Sequence, residues 1–297
     1  MKKEKANPIF AIAADNWKEQ VMSLRKYGGY KSTARTVNEL VDQFGHMRVQ
    51  SITKEHIQKY IVKLSARIGM SQIKRLIGTF KGIMELADDD WEMPRRLKYP
   101  KAKKPYQPYY VFEDVRKMLQ HSMGIEKVLI MLLAETGCRI GEAVALQTAD
   151  IRPGKISITK NLYEGVLQDS PKTDSSIREV SISGKLEAEL RKLCLSRPQD
   201  FVFRSGSDYR AYWPQQFSGR LKEICYNAGV EYKGSHAFRR GNITELLNDL
   251  EMPERIVGAR VGHLSSGTTL GVYCKVKSDS DVVWVPKIEK WLYEGEK

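Results

Sequence analysis

Two short segments of the chain combine side chains that suit chemistry on a phosphate ester. The segment TGCRIGE places Arg139 and Glu142 three positions apart at the start of a predicted helix, so both project from one face. The segment SHAFRR places His236 and Arg239 in the same relation at another predicted helix start. Arginine stays charged at every relevant pH and offers a planar fork of donors to phosphoryl oxygens, while histidine exchanges protons near neutral pH. Each pair alone is weak evidence, because a surface ion pair has the same spacing.

A third segment, RVGHLSSGTTLGVYCK, supplies His263 and, ten residues later, Tyr273. A tyrosine hydroxyl has a reference pKa of about 10, so it attacks phosphorus only when cations and a proton acceptor lie beside it. The arginines and histidines of the other two segments are groups of that kind. A lone tyrosine near a C-terminus is more often a core or surface residue, so this segment carries meaning only together with the others.

In this combination and order, the three segments resemble the tyrosine recombinase family, which includes phage integrases and Xer-type site-specific recombinases. The resemblance covers residues 105–277 by motif, and residues 1–93 only by their helical, basic character. It assigns Arg139 to the family's first arginine and Glu142 to the acidic residue near it. It assigns His236 and Arg239 to the family's H-x-x-R pair.

Three further residues are assigned by the same resemblance. Lys172 in SPKTDSSIREV matches the family's β-hairpin lysine, His263 matches its later His/Trp position, and Tyr273 matches its nucleophile. There are two departures from the family pattern. Arg240 stands where the family usually has histidine, which bears on packing more than on chemistry, and the spacing from His263 to Tyr273 is one residue longer than the commonest. No other tyrosine fits the position of the nucleophile.

The resemblance implies site-specific DNA strand breakage and rejoining through a covalent 3′-phosphotyrosyl intermediate on Tyr273. The two arginines would stabilise the charge that develops on the phosphoryl oxygens, and Lys172 would protonate the leaving 5′-oxygen. His236 is the candidate base, and Glu142 would orient Arg139 or His236. The implied catalytic residues are Arg139, Lys172, His236, Arg239, His263, which would donate a hydrogen bond to the phosphate, and Tyr273, with Glu142 in support.

No metal and no nucleotide cofactor are expected for this chemistry. The arginines would supply the charge stabilisation that magnesium gives in a two-metal nuclease, and the chain has no glycine-rich phosphate loop ending in Lys-Ser/Thr. A phosphotyrosyl linkage preserves the energy of the broken bond, so rejoining would need no ATP.

The elements that must position these residues begin with a predicted helical bundle in residues 1–93. Apolar residues recur at the spacing of amphipathic helices in three segments, and an earlier helix is expected to stop at Gly28–Gly29. Thr53 and Ser71 are placed to cap the third and fourth helices. The three periodic sets are Val37/Leu40/Val41/Phe44, Ile57/Tyr60/Ile61/Leu64 and Ile73/Leu76/Ile77/Phe80. This domain resembles the core-type DNA-binding domain of the family.

Residues 94–108 read PRRLKYPKAKKPYQP and predict a basic linker, because four prolines disfavour a continuous helix. Such a connector either lies along a phosphate backbone or is simply solvated. Residues 1–104 hold 22 Lys and Arg against 11 Asp and Glu, so a net charge of +11 out of the total +13 lies there. A basic surface of this kind favours a polyanion as partner.

The catalytic domain is predicted over residues 109–277 as α+β. A buried helix over Ile125–Glu135 should end at Gly137, and a second should begin around Arg139. Three short antiparallel strands are expected at Lys155–Lys160, Gly165–Gln168 and Ile177–Ile182, with helices after them. Residues 278–297 form an apolar C-terminal tail that we expect to dock on a neighbouring protomer, with docking on its own domain as the alternative.

The expected fold class is therefore mainly α with a small antiparallel β-sheet. Hydrophobic residues make up 41% of the chain and no apolar run reaches the roughly 18 residues of a membrane span, so no membrane partner is expected. The N-terminus does not read as a secretory signal, and the four scattered cysteines suggest neither disulfides nor a zinc site. We expect a cytoplasmic protein, associated with the nucleoid when bound to DNA.

The partners implied by the resemblance are double-stranded DNA with attachment sites and further copies of the chain, as a dimer on each site and a homotetramer on paired sites. Accessory DNA-bending proteins are candidate partners. A type IB topoisomerase shares the chemistry but rejoins the same strand, and the separate basic helical domain favours recombination over it. A relative that only binds DNA is the alternative from another class, and the filled catalytic positions argue against it.

Overall fold

A computed structural model of the chain describes residues 7–21, 27–101, 106–168, 177–195, 198–205, 210–262 and 279–295. The chain divides into two compact units, Met1–Pro105 and Tyr106–Lys297. The division falls inside the stretch that the sequence predicts as a linker.

The first unit is helical, as its apolar periodicity predicts. Its core contains three phenylalanine rings, Phe10, Phe44 and Phe80, whose centroids lie 5.0 to 5.8 Å apart. All three are withdrawn from solvent, so the bundle is held by aromatic packing. The described helices are α1 (Phe10–Val21), α2 (Tyr27–Phe44), α3 (Lys54–Ser65) and α4 (Met70–Ala87), with a 3-10 turn at Val49–Ser51.

Two predicted helix boundaries in this unit are wrong. Gly28 and Gly29 do not end a helix but lie in the first turn of α2. Glycine weakens a helix through its backbone entropy mainly in the helix interior, so two glycines in the first turn do not prevent α2 from starting at Tyr27. Ser71 does not cap α4, because Gly69 holds the cap position and the helix begins at Met70. Thr53 does precede α3 as predicted, and its backbone N–H donates to Nδ1 of His56 at 3.1 Å.

The chain after α4 stays attached to the first unit. Trp91, Met93 and Leu97 pack against its core. The backbone N–H of Lys98 donates to the side chain of Gln58 at 2.8 Å, and the amide of Gln58 donates back to the carbonyl of Lys98 at 2.9 Å. The first part of the predicted linker is thus fixed to the helical bundle, while residues 102–105 lie outside the described residues.

The second unit is built on one long hydrophobic core around α6, whose residues from Val128 to Thr136 are buried. As predicted, this helix ends at Gly137, which adopts a left-handed conformation with φ 63°. The helices of the unit are α5 (Phe112–Gln120), α6 (Gly124–Thr136), α7 (Ile140–Val144), α8 (Gly184–Leu193), α9 (Pro214–Asn227), α10 (His236–Asn248), α11 (Glu254–Val261) and α12 (Val285–Glu289), with 3-10 turns at Thr148–Asp150 and Val282–Trp284 and a π turn at Lys290–Glu294.

The strands form a small antiparallel sheet and two separate hairpins. The sheet has the order β1-β2-β5 and pairs Ile156 with Val180. The strands are β1 (Ile151–Arg152), β2 (Lys155–Ile158), β3 (Asn161–Tyr163), β4 (Val166–Gln168), β5 (Arg178–Ser181), β6 (Arg204–Ser205) and β7 (Arg210–Ala211). The fold class expected from the sequence, mainly α with a small antiparallel sheet, is confirmed.

The predicted middle strand is not part of this sheet. Residues 166–168 form β4 and pair with β3 in their own hairpin. The turn between them consists of Glu164 and Gly165, both with positive φ (46° and 80°), and positive φ at both central residues is the mark of a tight two-residue hairpin turn. The segment therefore folds back on itself instead of joining its neighbours.

The described part of the tail, residues 279–295, packs on its own unit. Leu292 is buried in the main core. The indole Nε1 of Trp291 donates to Glu245 at 2.8 Å, and the hydroxyl of Tyr293 donates to Glu135 at 2.6 Å. Docking of the tail on a neighbouring protomer would require the tail to leave these contacts and form the same ones on another copy of the chain. That mode of docking stays a prediction.

None of the helices in the described ranges has the length and apolar character needed to cross a membrane.

Gly241 allows α10 to approach the chain that leads into α5. A Cβ atom there would lie 1.9 Å from the carbonyl oxygen of Tyr110, a distance that forces the backbone apart. We expect Gly241→Ala to lower the free energy of unfolding by about 1–3 kcal/mol, the range for overpacking. Gly219 in α9 has open space at the same position, so Gly219→Ala should instead stabilise by about 0.5–1 kcal/mol. Urea unfolding followed by circular dichroism measures the free energy of unfolding of both variants. Equal changes in the two variants would contradict the close contact assigned to Gly241.

Candidate active site

Arg139 and Glu142 are brought together at the start of α7. Arg139 precedes the helix, and its backbone N–H donates to Oε2 of Glu142 at 2.9 Å. Its guanidinium donates to Oε1 of the same carboxylate at 2.7 Å. The Arg139 side chain is 38% exposed, whereas the Glu142 side chain is 2% exposed. Glu142 therefore holds the Arg139 guanidinium from the buried side and leaves its solvent-exposed side open to a ligand. Of the two residues that Glu142 was expected to orient, it forms hydrogen bonds with Arg139 and not with His236.

A second arginine that the sequence analysis did not assign to the site shares this carboxylate. Arg178 on β5 is buried and donates to Oε2 of Glu142 at 2.9 Å. Burial alone would raise the pKa of Glu142, but the charge and hydrogen bond of Arg178 and the bonds from Arg139 hold that pKa below its usual value. Glu142 is thus an anion between two cations. The two partners of Glu142 lie 3 and 36 positions away in the sequence, and only the first spacing gives a signal.

Arg239 is the most enclosed cation of the site. It is 5% exposed, and one guanidinium nitrogen donates to the carbonyl of Gly137 at 2.8 Å. The other terminal nitrogen is buried and has no hydrogen-bond partner within the described part of the chain. Desolvation and then the positive charges of Arg139 and Arg178 lower the pKa of Arg239 to about 10, so it stays charged at neutral pH. A buried charged donor without a partner is costly unless a ligand satisfies it.

His236 begins α10, one turn before Arg239 on the same helix. Desolvation and then the charges of Arg240, Arg139 and Arg239 lower its pKa below the ordinary value, and Glu142 opposes this shift. A lowered pKa means that the imidazole is neutral at pH 7 and is able to accept a proton. Arg239 also bonds the carbonyl of Gly137, two residues before Arg139, so the two sequence pairs lie in one site.

Arg240, at the position where the resemblance has histidine, bonds the chain that leads into α5. Its Nε donates to the carbonyl of Pro108 at 2.8 Å, and a terminal nitrogen donates to the side chain of Gln107 at 3.3 Å. The residue therefore anchors the chain that enters the second unit while its charge still acts on His236.

Three of the predicted site residues, Lys172, His263 and Tyr273, lie outside the described residues. Tyr293, the other tyrosine of the C-terminal region, is engaged with the buried Glu135, and desolvation raises its pKa well above the usual value. Within the described ranges no group of three or more His, Cys, Asp or Glu residues is arranged to hold a metal ion.

Comparisons with known proteins show which family the sequence matches. The model of the phage integrase family matches residues 111–279, which include all the predicted site residues. The integrase of Staphylococcus phage L54a is 22% identical, over 96% of this chain and 93% of that protein. The ICEBs1 integrase of Bacillus subtilis (strain 168) is 22% identical, over 78% of this chain and 67% of that protein.

Two solved structures share the fold. The Tn1549 transposon integrase in complex with transposon right end DNA has a TM-score of 0.74 at 14% identity, covering 94% of this chain and 99% of that one. A lambda integrase dimer bound to a COC′ core site has a TM-score of 0.66 at 14% identity, covering 91% of this chain and 99% of that one. The expected tyrosine recombinase fold is thereby confirmed.

The charge of Arg240 makes a testable contribution to the proton affinity of His236. A nearby positive charge disfavours the imidazolium, so Arg240→Gln should raise the pKa of His236 toward its ordinary value of about 6.5. NMR titration of the ring measures this shift directly. Arg220→Gln is the control, since Arg220 pairs with Glu223 on the surface of α9 and is not among the charges that act on His236. A His236 pKa that does not respond to Arg240→Gln would contradict the electrostatic assignment.

Proposed function

The chain belongs to the phage integrase family and is a site-specific recombinase, and from this premise we propose that it cleaves and rejoins duplex DNA through a covalent 3′-phosphotyrosyl intermediate on Tyr273, without ATP. The observation that carries the proposal is the buried terminal nitrogen of Arg239, which has no hydrogen-bond partner among the residues that the structure describes. A phosphodiester oxygen is an acceptor of the right charge for it.

The charge balance of the site favours an anionic ligand. Arg139, Arg178 and Arg239 face a single carboxylate, Glu142. The cluster therefore carries an excess of positive charge in a largely water-excluded place, where electrostatic stabilisation of a transition state is strongest. Glu142 and the carbonyl of Gly137 already fix the guanidinium groups of Arg139 and Arg239. These hydrogen-bond donors therefore need no reorganisation when negative charge builds up on the phosphate.

Each remaining residue takes one role in the proposed reaction. His236, neutral at pH 7, accepts the proton of the Tyr273 hydroxyl as it attacks phosphorus. Arg139 and Arg239 bind the non-bridging oxygens, and His263 donates a further hydrogen bond to them. Lys172 gives a proton to the leaving 5′-oxygen. Attack by a 5′-hydroxyl of another strand on the phosphotyrosine reverses the step and restores the hydroxyl of Tyr273.

The proposed partners are duplex DNA with attachment sites and other copies of this chain. The net charge of +11 in residues 1–104 supports a DNA-binding role for the helical unit. The structural relatives include a lambda integrase dimer on a core site and a lambda integrase tetramer on a Holliday junction, which supports a dimer on each site and a tetramer on paired sites here. We place this activity in the cytoplasm, on nucleoid DNA.

Removal of the proposed nucleophile gives the first functional test. Tyr273→Phe should abolish the covalent adduct with a nicked attachment-site DNA and leave binding nearly intact, because only the attacking oxygen is lost. Tyr226→Phe is the matched control, since that side chain is 87% exposed and lies outside the site. Adducts are scored by denaturing gel electrophoresis. An adduct formed by Tyr273→Phe would rule out the assigned nucleophile.

Replacement of the buried arginine tests the phosphate contact. Arg239→Lys keeps the charge, but one ammonium group does not reproduce the fork that bonds Gly137 and leaves a second nitrogen for the phosphate. We expect cleavage to fall by at least about 10²-fold, the scale for one lost oxyanion donor, with DNA affinity retained. Arg255→Lys on the exposed side of α11 should cleave as the parent does. Full activity in Arg239→Lys would contradict the proposal.

A further inference from the structure

The carboxylate of Asp281, at the start of the tail, ties two elements of the catalytic unit together. Its Oδ1 accepts from the hydroxyl of Ser181 at 2.7 Å, and its Oδ2 accepts from the backbone N–H of Ser181 at 3.0 Å. The same Oδ2 accepts from the guanidinium of Arg260. Asp281 therefore fixes the end of β5 to the end of α11.

Both of these elements hold Arg178. Arg178 lies at the start of β5, three residues before Ser181. Its Nε donates to the backbone carbonyl of Arg260 at 2.8 Å. The Arg260 side chain is fully buried, and its guanidinium also donates to the carbonyl of Glu135 at 3.1 Å. A buried cation of this kind needs its anion, so the position of Arg260 depends on Asp281.

Arg178 in turn determines how much of the charge of Arg139 is available to a ligand. The two arginines share the buried carboxylate of Glu142, at 2.9 and 2.7 Å. While both are in place, the group carries one net positive charge. Without Arg178, Glu142 would be balanced by Arg139 alone and would pull its guanidinium inward, away from the open face.

We propose that Arg178 is a positioning residue that keeps Arg139 available for the phosphate, and that Asp281 sets the position of Arg178, so that cleavage depends on the docked start of the tail. The proposal deepens the recombinase function proposed above and rests on it for its cleavage measurements. It adds a route from the tail to Arg139 through five residues, Asp281, Arg260, Arg178, Glu142 and Arg139, in which Arg178 contacts Arg260 at its backbone carbonyl.

A second substitution that removes the charge of Glu142 distinguishes a positioning role of Arg178 from a role in fold stability alone. Arg178→Met should lower the rate of cleavage within the bound complex by about 10- to 100-fold, with the Kd for DNA unchanged. The double variant Arg178→Met with Glu142→Gln also removes the carboxylate charge that would pull Arg139 inward, so it should recover cleavage relative to Arg178→Met alone. A double variant no faster than the single one would overturn the positioning role.

The tail residue is tested with a matched neighbour. Asp281→Asn keeps the shape of the side chain but loses its charge, and it should reduce cleavage about 10-fold at unchanged DNA affinity. Asp279→Asn is the control, because Asp279 is exposed and bonds Lys155 on the surface at 2.8 Å. Equal cleavage by the two variants would overturn the role of Asp281.

A spectroscopic measurement decides the proposal without any activity. In full-length protein labelled with ¹⁵N-arginine, the side-chain signals of Arg139 and Arg178 are assigned from their loss in Arg139→Lys and Arg178→Lys. Asp281→Asn should shift both signals, and Asp279→Asn should shift neither. An Arg139 signal unchanged by Asp281→Asn would refute the connection. Absence of a covalent adduct with the parent chain would refute the proposed function, and the NMR result would still decide between a connected and an independent tail.

Discussion

The ion pairs of the buried Glu142 carboxylate with two arginines are the interaction on which the catalytic unit depends. It accepts a hydrogen bond from the backbone at the start of α7, and it balances one arginine on that helix and another on β5. An anion this deeply enclosed is tolerated only because both cations stay beside it. The same carboxylate therefore both stabilises the start of α7 and fixes the two arginine charges.

Sequence reasoning works well where partners are close along the chain. The three-residue spacings of Arg139 with Glu142 and of His236 with Arg239 predict pairs that the structure places in one site. Helical periodicity likewise finds the bundle of the first unit, because burial on one face repeats every turn. Helix starts are less well determined, since a glycine either ends a helix, caps it or begins it, and periodicity does not distinguish the three.

Long-range pairing is where sequence reasoning fails. Alternation in IREVSI places Arg178 on the same face as the buried Val180 and Ile182, but it does not name the partner, because Glu142 comes from another element. The strand at residues 166–168 is predicted correctly as a strand, but its pairing with β3 is not. Alternation of apolar residues indicates a strand but does not name its partner, and here the positive φ of Glu164 and Gly165 turns β4 onto β3.

The residue at the start of α7 is not one that stabilises a helix start well. Serine, threonine, aspartate and asparagine are the residues that best stabilise a helix start, yet Arg139 occupies that position and leaves the task to Glu142 three residues on. An engineer who improved helix ends by residue statistics would replace Arg139 first and would thereby remove the partly exposed guanidinium that we propose binds the phosphate. Thermostabilisation of this enzyme by consensus rules must therefore exclude α7, where better folding and activity oppose each other.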